Sequence, residues 1–128
     1  MTDKIQERRK FKRVNVNFIV IYRIHQPVKL RMFINDKEVY AIMIDLNEGG
    51  MAIVSSYQIP ENTLLLIKFT LIDPTATFES RISKIELMGE VRYCILREDK
   101  SYRLGIRFTQ IKEEDRLIIS NFCKKIST

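Results

Sequence analysis

The chain has no Trp, a single His and only two Cys, and each scarcity removes a class of chemistry. His25 stands beside Gln26-Pro27 with no HExxH, CxxC or other ligand spacing near it, so it supports neither a metal centre nor a histidine-activated nucleophile. It reads as a surface-turn histidine. Cys94 and Cys123 form no CxxC pair, and Cys123 falls on an apolar helical face, so both are expected to pack as small hydrophobes. Neither GxxxxGK[ST] nor GxGxxG occurs, which leaves ATP hydrolysis and dinucleotide redox chemistry without support. Binding is therefore expected rather than catalysis, with no metal and no cofactor. Four Gly and three Pro are too few for collagen-like or Gly/Pro-rich low-complexity chains. The longest apolar stretches, such as Phe18 to Tyr22 and Leu64 to Ile67, fall far short of the roughly 18 residues of a membrane span. The opening MTDKIQERRKFK has no apolar run behind its charges, so it does not read as a secretory signal, and a cytoplasmic location is expected.

What is present is one domain's worth of chain: 128 residues, 45% of them hydrophobic. A chain of this length buries roughly two thirds of its unfolded surface and needs no disulfide or structural metal. The net charge of +6 is unevenly placed. Residues 1–37 hold 10 Lys+Arg against 3 Asp+Glu, whereas residues 38–128 hold 12 against 13. Such asymmetry points to an anionic partner, whether a phosphate-bearing ligand, nucleic acid or an acidic membrane surface, or to a merely solvated basic arm.

From Arg13 onward Val14, Val16, Phe18, Val20, Tyr22 and Ile24 recur at period two, which predicts a long strand. Glu38 to Leu46 and Met51 to Ser55 flank Asn47-Glu48-Gly49-Gly50, a hairpin. Leu64 to Leu71, Thr77 to Leu87, Val91 to Arg97 and Tyr102 to Phe108 are further β-rich runs, separated by turn residues at Pro60, Asp73-Pro74, Met88-Gly89 and Glu98 to Ser101. Spacing of this kind suggests a closed barrel or sandwich. The end differs. Leu117, Ile118, Phe122 and Ile126 fall at helical spacing between an acidic first turn, Glu113 to Asp115, and a basic last turn, Lys124 and Lys125. A helix from about Lys112 to Lys125 is expected, laid on the sheet or plugging a barrel mouth.

Two segments could carry recognition. In Glu7-Arg8-Arg9-Lys10-Phe11-Lys12-Arg13, Arg9 and Arg13 are four apart and Arg8 adjoins them. Guanidinium groups fork onto phosphate oxygens or the O6/N7 edge of guanine, and stack on base faces. In Asp45-Leu46-Asn47-Glu48-Gly49-Gly50, a strand would point Asp45 and Asn47 to the same side. A carboxylate offers two acceptors to the N1–H and N2–H donors of guanine, and the glycines would admit a bulky ligand close to the backbone. Together these describe a purine nucleotide site.

At these residues the chain resembles the PilZ domain family, whose members bind cyclic di-GMP. Arg9-Lys10-Phe11-Lys12-Arg13 matches the family's RxxxR motif, with Arg8 giving its extended form. Asp45-Leu46-Asn47-Glu48-Gly49-Gly50 matches its [D/N]xSxxG motif, except that Asn47 stands where Ser is usual. Tyr102 to Phe108 and the helix after it resemble the closing strand and C-terminal helix, so the likeness runs from about Glu7 to Lys125. It implies a small six- or seven-stranded antiparallel β-barrel over 14–128, preceded by a flexible basic arm, 1–13. It further implies a cyclic di-GMP site made by Arg8, Arg9, Arg13, Asp45, Asn47, Gly49 and Gly50. An arginine before RxxxR goes with two mutually intercalated ligand molecules in such proteins. Output would pass to an effector protein in bacterial motility, adhesion or exopolysaccharide control.

Two rivals compete with this expectation. Asn47 favours a PilZ-like adaptor that has lost nucleotide binding and acts through protein contacts. A single-stranded nucleic-acid barrel would need aromatic platforms among its basic groups, and the basic arm offers only Phe11.

Overall fold

The computed structural model describes residues 14–34 and 36–127. The chain runs β1 (Val14–Gln26), α1 (Val28–Phe33), β2 (Val39–Asn47), β3 (Gly50–Ser55), β4 (Leu64–Ile72), a 3₁₀ turn (Phe78–Ser80), β5 (Ile82–Leu96), β6 (Tyr102–Gln110) and α2 (Glu113–Ser127). The strands close into one antiparallel barrel in the order β1-β2-β3-β6-β5-β4. Closure falls on β1, which is long enough to pair on both edges: Val20 lies opposite Ala41 of β2 and Phe69 of β4.

The period-two pattern that predicts β1 also sets its facing. Val14, Val20, Tyr22 and Ile24 are buried, whereas Asn15, Asn17 and Ile19 are exposed. Alternation in β4 adds Leu65, Ile67, Phe69 and Leu71, and the facing strands supply Met43, Leu46, Ile53, Ile85, Leu87, Val91, Leu104 and Ile106 to the same core. Burial of such side chains contributes about 1.5–3 kcal/mol each relative to exposure.

Helix α2 carries the predicted charge pattern, acidic at its start and basic at its end. Ile119, Phe122 and Cys123 join the barrel core, and the Phe122 ring lies 6.0 Å from that of Phe18 on β1. The helix end is tethered by Lys125, which donates to Asp73 Oδ2 at 3.1 Å. The Thr75 hydroxyl, aided by the Thr75 N–H and Lys125, holds the Asp73 carboxyl below the usual range despite the cost of burying it. Among the described residues no helix is long and apolar enough to cross a membrane.

Several expectations change. Met88-Gly89 does not divide two strands. Gly89 pairs with Leu65 on one side and Phe108 on the other, and a shift of register at this point absorbs the irregularity, so β5 is continuous and the barrel has six strands. The run read as strand from Thr77 begins instead with the 3₁₀ turn, and β5 starts at Ile82. His25 lies within β1 rather than in a turn, because pairing with β4 extends to Gln26. The short helix α1, between Pro27 and the Asp36 turn, has too few residues for periodicity to announce it.

Inside the barrel the Tyr22 hydroxyl and Ser55 Oγ share a hydrogen bond of 2.7 Å. Burial pushes the Tyr22 pKa up to about 12. The unfolded chain, with tyrosines near 10, loses this proton first as pH rises, so the stability tied to the neutral phenol is complete below about pH 10 and is lost as pH climbs towards 12. Tyr22→Phe should cost about 1 kcal/mol at neutral pH. Thermal melting between pH 9 and 12 should show a shallower alkaline decline for the variant than for the native protein; equal slopes would assign the decline to other groups.

Candidate functional site

The β2–β3 hairpin closes on the pair Asn47 and Gly50, with Glu48-Gly49 as the turn. Asn47 holds the turn itself: its side-chain carbonyl accepts the Gly49 N–H at 2.8 Å, the local side-chain to backbone lock that makes Asn a turn residue. The turn is fixed to β6 as well, because the Phe108 N–H donates to the Gly49 carbonyl at 2.9 Å. Among the described residues no glycine has positive φ, so neither Gly49 nor Gly50 serves for left-handed backbone. Gly50 is required for another reason. A Cβ there would run into the backbone carbonyl oxygen of Ile106 on the adjacent strand.

Asp45, Asn47, Gly49 and Gly50 line a single cavity of about 230 Å³. Asp45 is largely buried, with 13% of its side chain exposed, and its Oδ2 lies 3.8 Å from Arg103 NH2. Arg103 is steadied in turn by donating Nε–H to the Tyr93 hydroxyl at 3.1 Å. That hydrogen bond is the main cause that raises the arginine's already high pKa, so the cation facing Asp45 is permanent. Arg92 and Arg107 also line the cavity, and both donate to Glu90 Oε1, at 2.9 Å and 3.3 Å. Two guanidinium groups sharing one carboxylate leave the wall with a surplus positive charge.

Helix α2 packs beneath this end of β2, where the Cys123 thiol faces the Leu46 carbonyl at 3.6 Å. Burial pushes that thiol up to about 11, which fits the expected packing role rather than a nucleophile. Among the described residues no group of His, Cys, Asp and Glu could hold a metal ion.

Arg8, Arg9 and Arg13 lie outside the described residues. The first described residues of β1 lie beside the hairpin motif, Val14 paired with Leu46 and Asn15 with Asp45. Sequence reading missed Arg92, Tyr93 and Arg107, which line the cavity from β5 and β6. One signal was available, since Arg103, Gly105 and Arg107 alternate at period two and so share a face. Nothing local tells which face, or that β6 lies beside β3.

The PilZ domain model matches residues 7–125. No curated protein matches the chain. Among solved structures, the Bacillus subtilis inhibitor of motility MotI superposes with a TM-score of 0.72 at 16% identity, covering 92% of this chain and 50% of that one. The chain thus spans about half the length of that protein. The PilZ domain of Escherichia coli YcgR, solved with c-di-GMP, gives 0.60 at 11% identity over 94% of this chain and 92% of that one. The K. pneumonia MrkH complex with c-di-GMP gives 0.58 at 14% identity, over 94% and 52% respectively.

Gly50→Ala should destabilise the protein by about 1–3 kcal/mol, the range for forcing a methyl group into a packed contact with a backbone atom that cannot swing aside. Chemical denaturation of the ligand-free protein measures this. A loss of ligand binding with no loss of stability would instead place the role of Gly50 in the cavity alone.

Proposed function

The chain belongs to the PilZ domain family, and from that premise we propose that it is a cyclic di-GMP receptor that acts by binding, not by catalysis. The observation that carries the reading is the register of β1 on β2, which sets Asn15 opposite Asp45. Arg13 is one peptide bond from Val14, so the basic arm 1–13 joins the barrel 14–128 at the rim of the cavity that Asp45, Asn47, Gly49 and Gly50 line. The first motif, more than thirty residues before the second in sequence, is thus followed directly by the end of β1 that pairs beside the second.

In this reading Arg9 and Arg13, with Arg8, engage the phosphates and guanine edges, and Asp45 accepts the paired N–H donors of a guanine. Arg103 NH2, 3.8 Å from Asp45 Oδ2, holds the carboxylate in place. Residues 1–13 carry six positive and two negative charges and little apolar surface, so ligand phosphates relieve the repulsion that opposes packing of the arm. Ordering the arm against the barrel makes a new surface for an effector protein, a switch driven by differential ligand contacts. The similar structures' descriptions, an inhibitor of motility and two c-di-GMP complexes, support a c-di-GMP signalling role, and in this reading it is a cytoplasmic one in motility, adhesion or exopolysaccharide control. No cofactor is needed.

One observation favours a second reading, an adaptor without nucleotide. Asn47 already satisfies its side-chain carbonyl within the turn, so the hairpin is stable with no ligand.

Calorimetric titration with cyclic di-GMP separates the two. The native protein should bind, and Arg9→Ala, Arg13→Ala and Asp45→Ala should each weaken binding by about one to two decades, the loss expected for a charge-assisted hydrogen bond. The endpoint should be two nucleotides per chain, falling towards one in Arg8→Ala. No heat of binding from the native protein would establish the adaptor reading, and an endpoint of one would remove the intercalated pair.

A further inference from the structure

Four residues form one transverse row across the barrel wall. Asp45 of β2 pairs with Ala52 of β3, Ala52 with Gly105 of β6, and Gly105 with Tyr93 of β5. The two middle members are the smallest side chains available, so the row is a trough with an acid at one end and an aromatic ring at the other. Strands about 4.8 Å apart make it long enough for a flat heterocycle to lie between its ends. All four residues line the same cavity.

The ring's attitude follows from Gly105. A Cβ built on that glycine would fall on the Tyr93 ring, nearest Cε2 and equally near Cδ2 and Cζ. Both neighbours of Cε2 lie only slightly farther from the point than Cε2 does, which puts it over the ring face, because a point beyond the rim in the ring plane would be much farther from them than from Cε2. The tyrosine therefore lies flat across Gly105, one face against the strand and the other turned away from the wall. Its hydroxyl is held by Arg103, the same side chain that faces Asp45. Arg103 thus fixes both the carboxylate that would take a guanine edge and the ring that would take a guanine face.

We propose that Tyr93 is the stacking platform for a purine base in this cavity, and that Gly105 is the residue that keeps the platform flat. The inference rests on the reading of the cavity as a guanine nucleotide site and adds the group that selects a broad, flat base. Asp45 recognises the base by its edge, Tyr93 by its face, and the Arg92–Glu90–Arg107 cluster puts surplus positive charge beside the attached phosphates.

The test is titration of the full chain with cyclic di-GMP, read by heat and by tyrosine emission, which the absence of Trp leaves unobscured. Tyr93→Phe should bind more weakly than native, because Arg103 loses its hydrogen bond to the hydroxyl, but more tightly than Tyr93→Leu, because the stacking face survives. Tyr93→Leu should lose about one to two decades, as stacking platforms do when the ring is removed. The ligand-induced quenching of tyrosine emission should shrink in Tyr93→Phe, although binding persists. Native affinity in Tyr93→Leu overturns the platform while leaving the nucleotide site standing. Should Tyr93→Leu melt below the native protein, the emission of Tyr93→Phe decides, and quenching equal to native overturns the proposal. No binding by the native protein defeats the nucleotide site, and the platform with it.

Discussion

Barrel closure through β1 is the constraint from which the rest of this structure follows. A strand of 13 residues pairs with β2 along one edge and β4 along the other, and its apolar period fixes which side chains face in. A slip of one residue would turn Val20, Tyr22 and Ile24 outward and is excluded by the loss of their burial. The same register sets where β1 begins. Val14 and Asn15 pair with Leu46 and Asp45, so the first residues of β1 lie beside the hairpin.

The cavity next to that junction is built from the outward-facing positions of strands whose inward positions make the core. Its cations and acid are arranged in linked sets rather than as isolated charges. Asp45 is matched by Arg103, Arg103 by Tyr93, and Glu90 by Arg92 and Arg107. Ion pairs whose guanidinium groups stand this open to solvent contribute little to stability, about 0–1 kcal/mol each. Their physical consequence is orientation: each guanidinium is held in one place, and a ligand meets groups already aimed.

Beneath the cavity, α2 is coupled to the hairpin through Cys123 and Leu46 and to β1 through Phe122 and Phe18. Its far end is tied to the β4–β5 connection by Lys125 and Asp73. A change at the hairpin therefore meets a helix anchored at two separate points.

Much of this was legible in the sequence because it is local. Period-two alternation gave β1, the Asn-Glu-Gly-Gly turn gave the hairpin, and apolar spacing with end charges gave α2, each from interactions within a few residues. The Asp45–Gly50 motif was legible for the same reason, whereas Arg9 and Arg13 lie outside the described residues. Three features were not legible. The continuity of β5 through Met88-Gly89 depends on neighbours on both edges, which outweigh the local preference of glycine to break a strand. The reason for Gly50 lies in a carbonyl of Ile106, more than fifty residues away, and not in its own backbone freedom. The row from Asp45 through Ala52 and Gly105 to Tyr93 exists only because β3 pairs with β6 and β6 with β5. Side-chain period and turn chemistry act along the chain and determine elements and motifs; which strand lies beside which is decided by the packing of the whole barrel, and it is that adjacency which gathers the cavity wall.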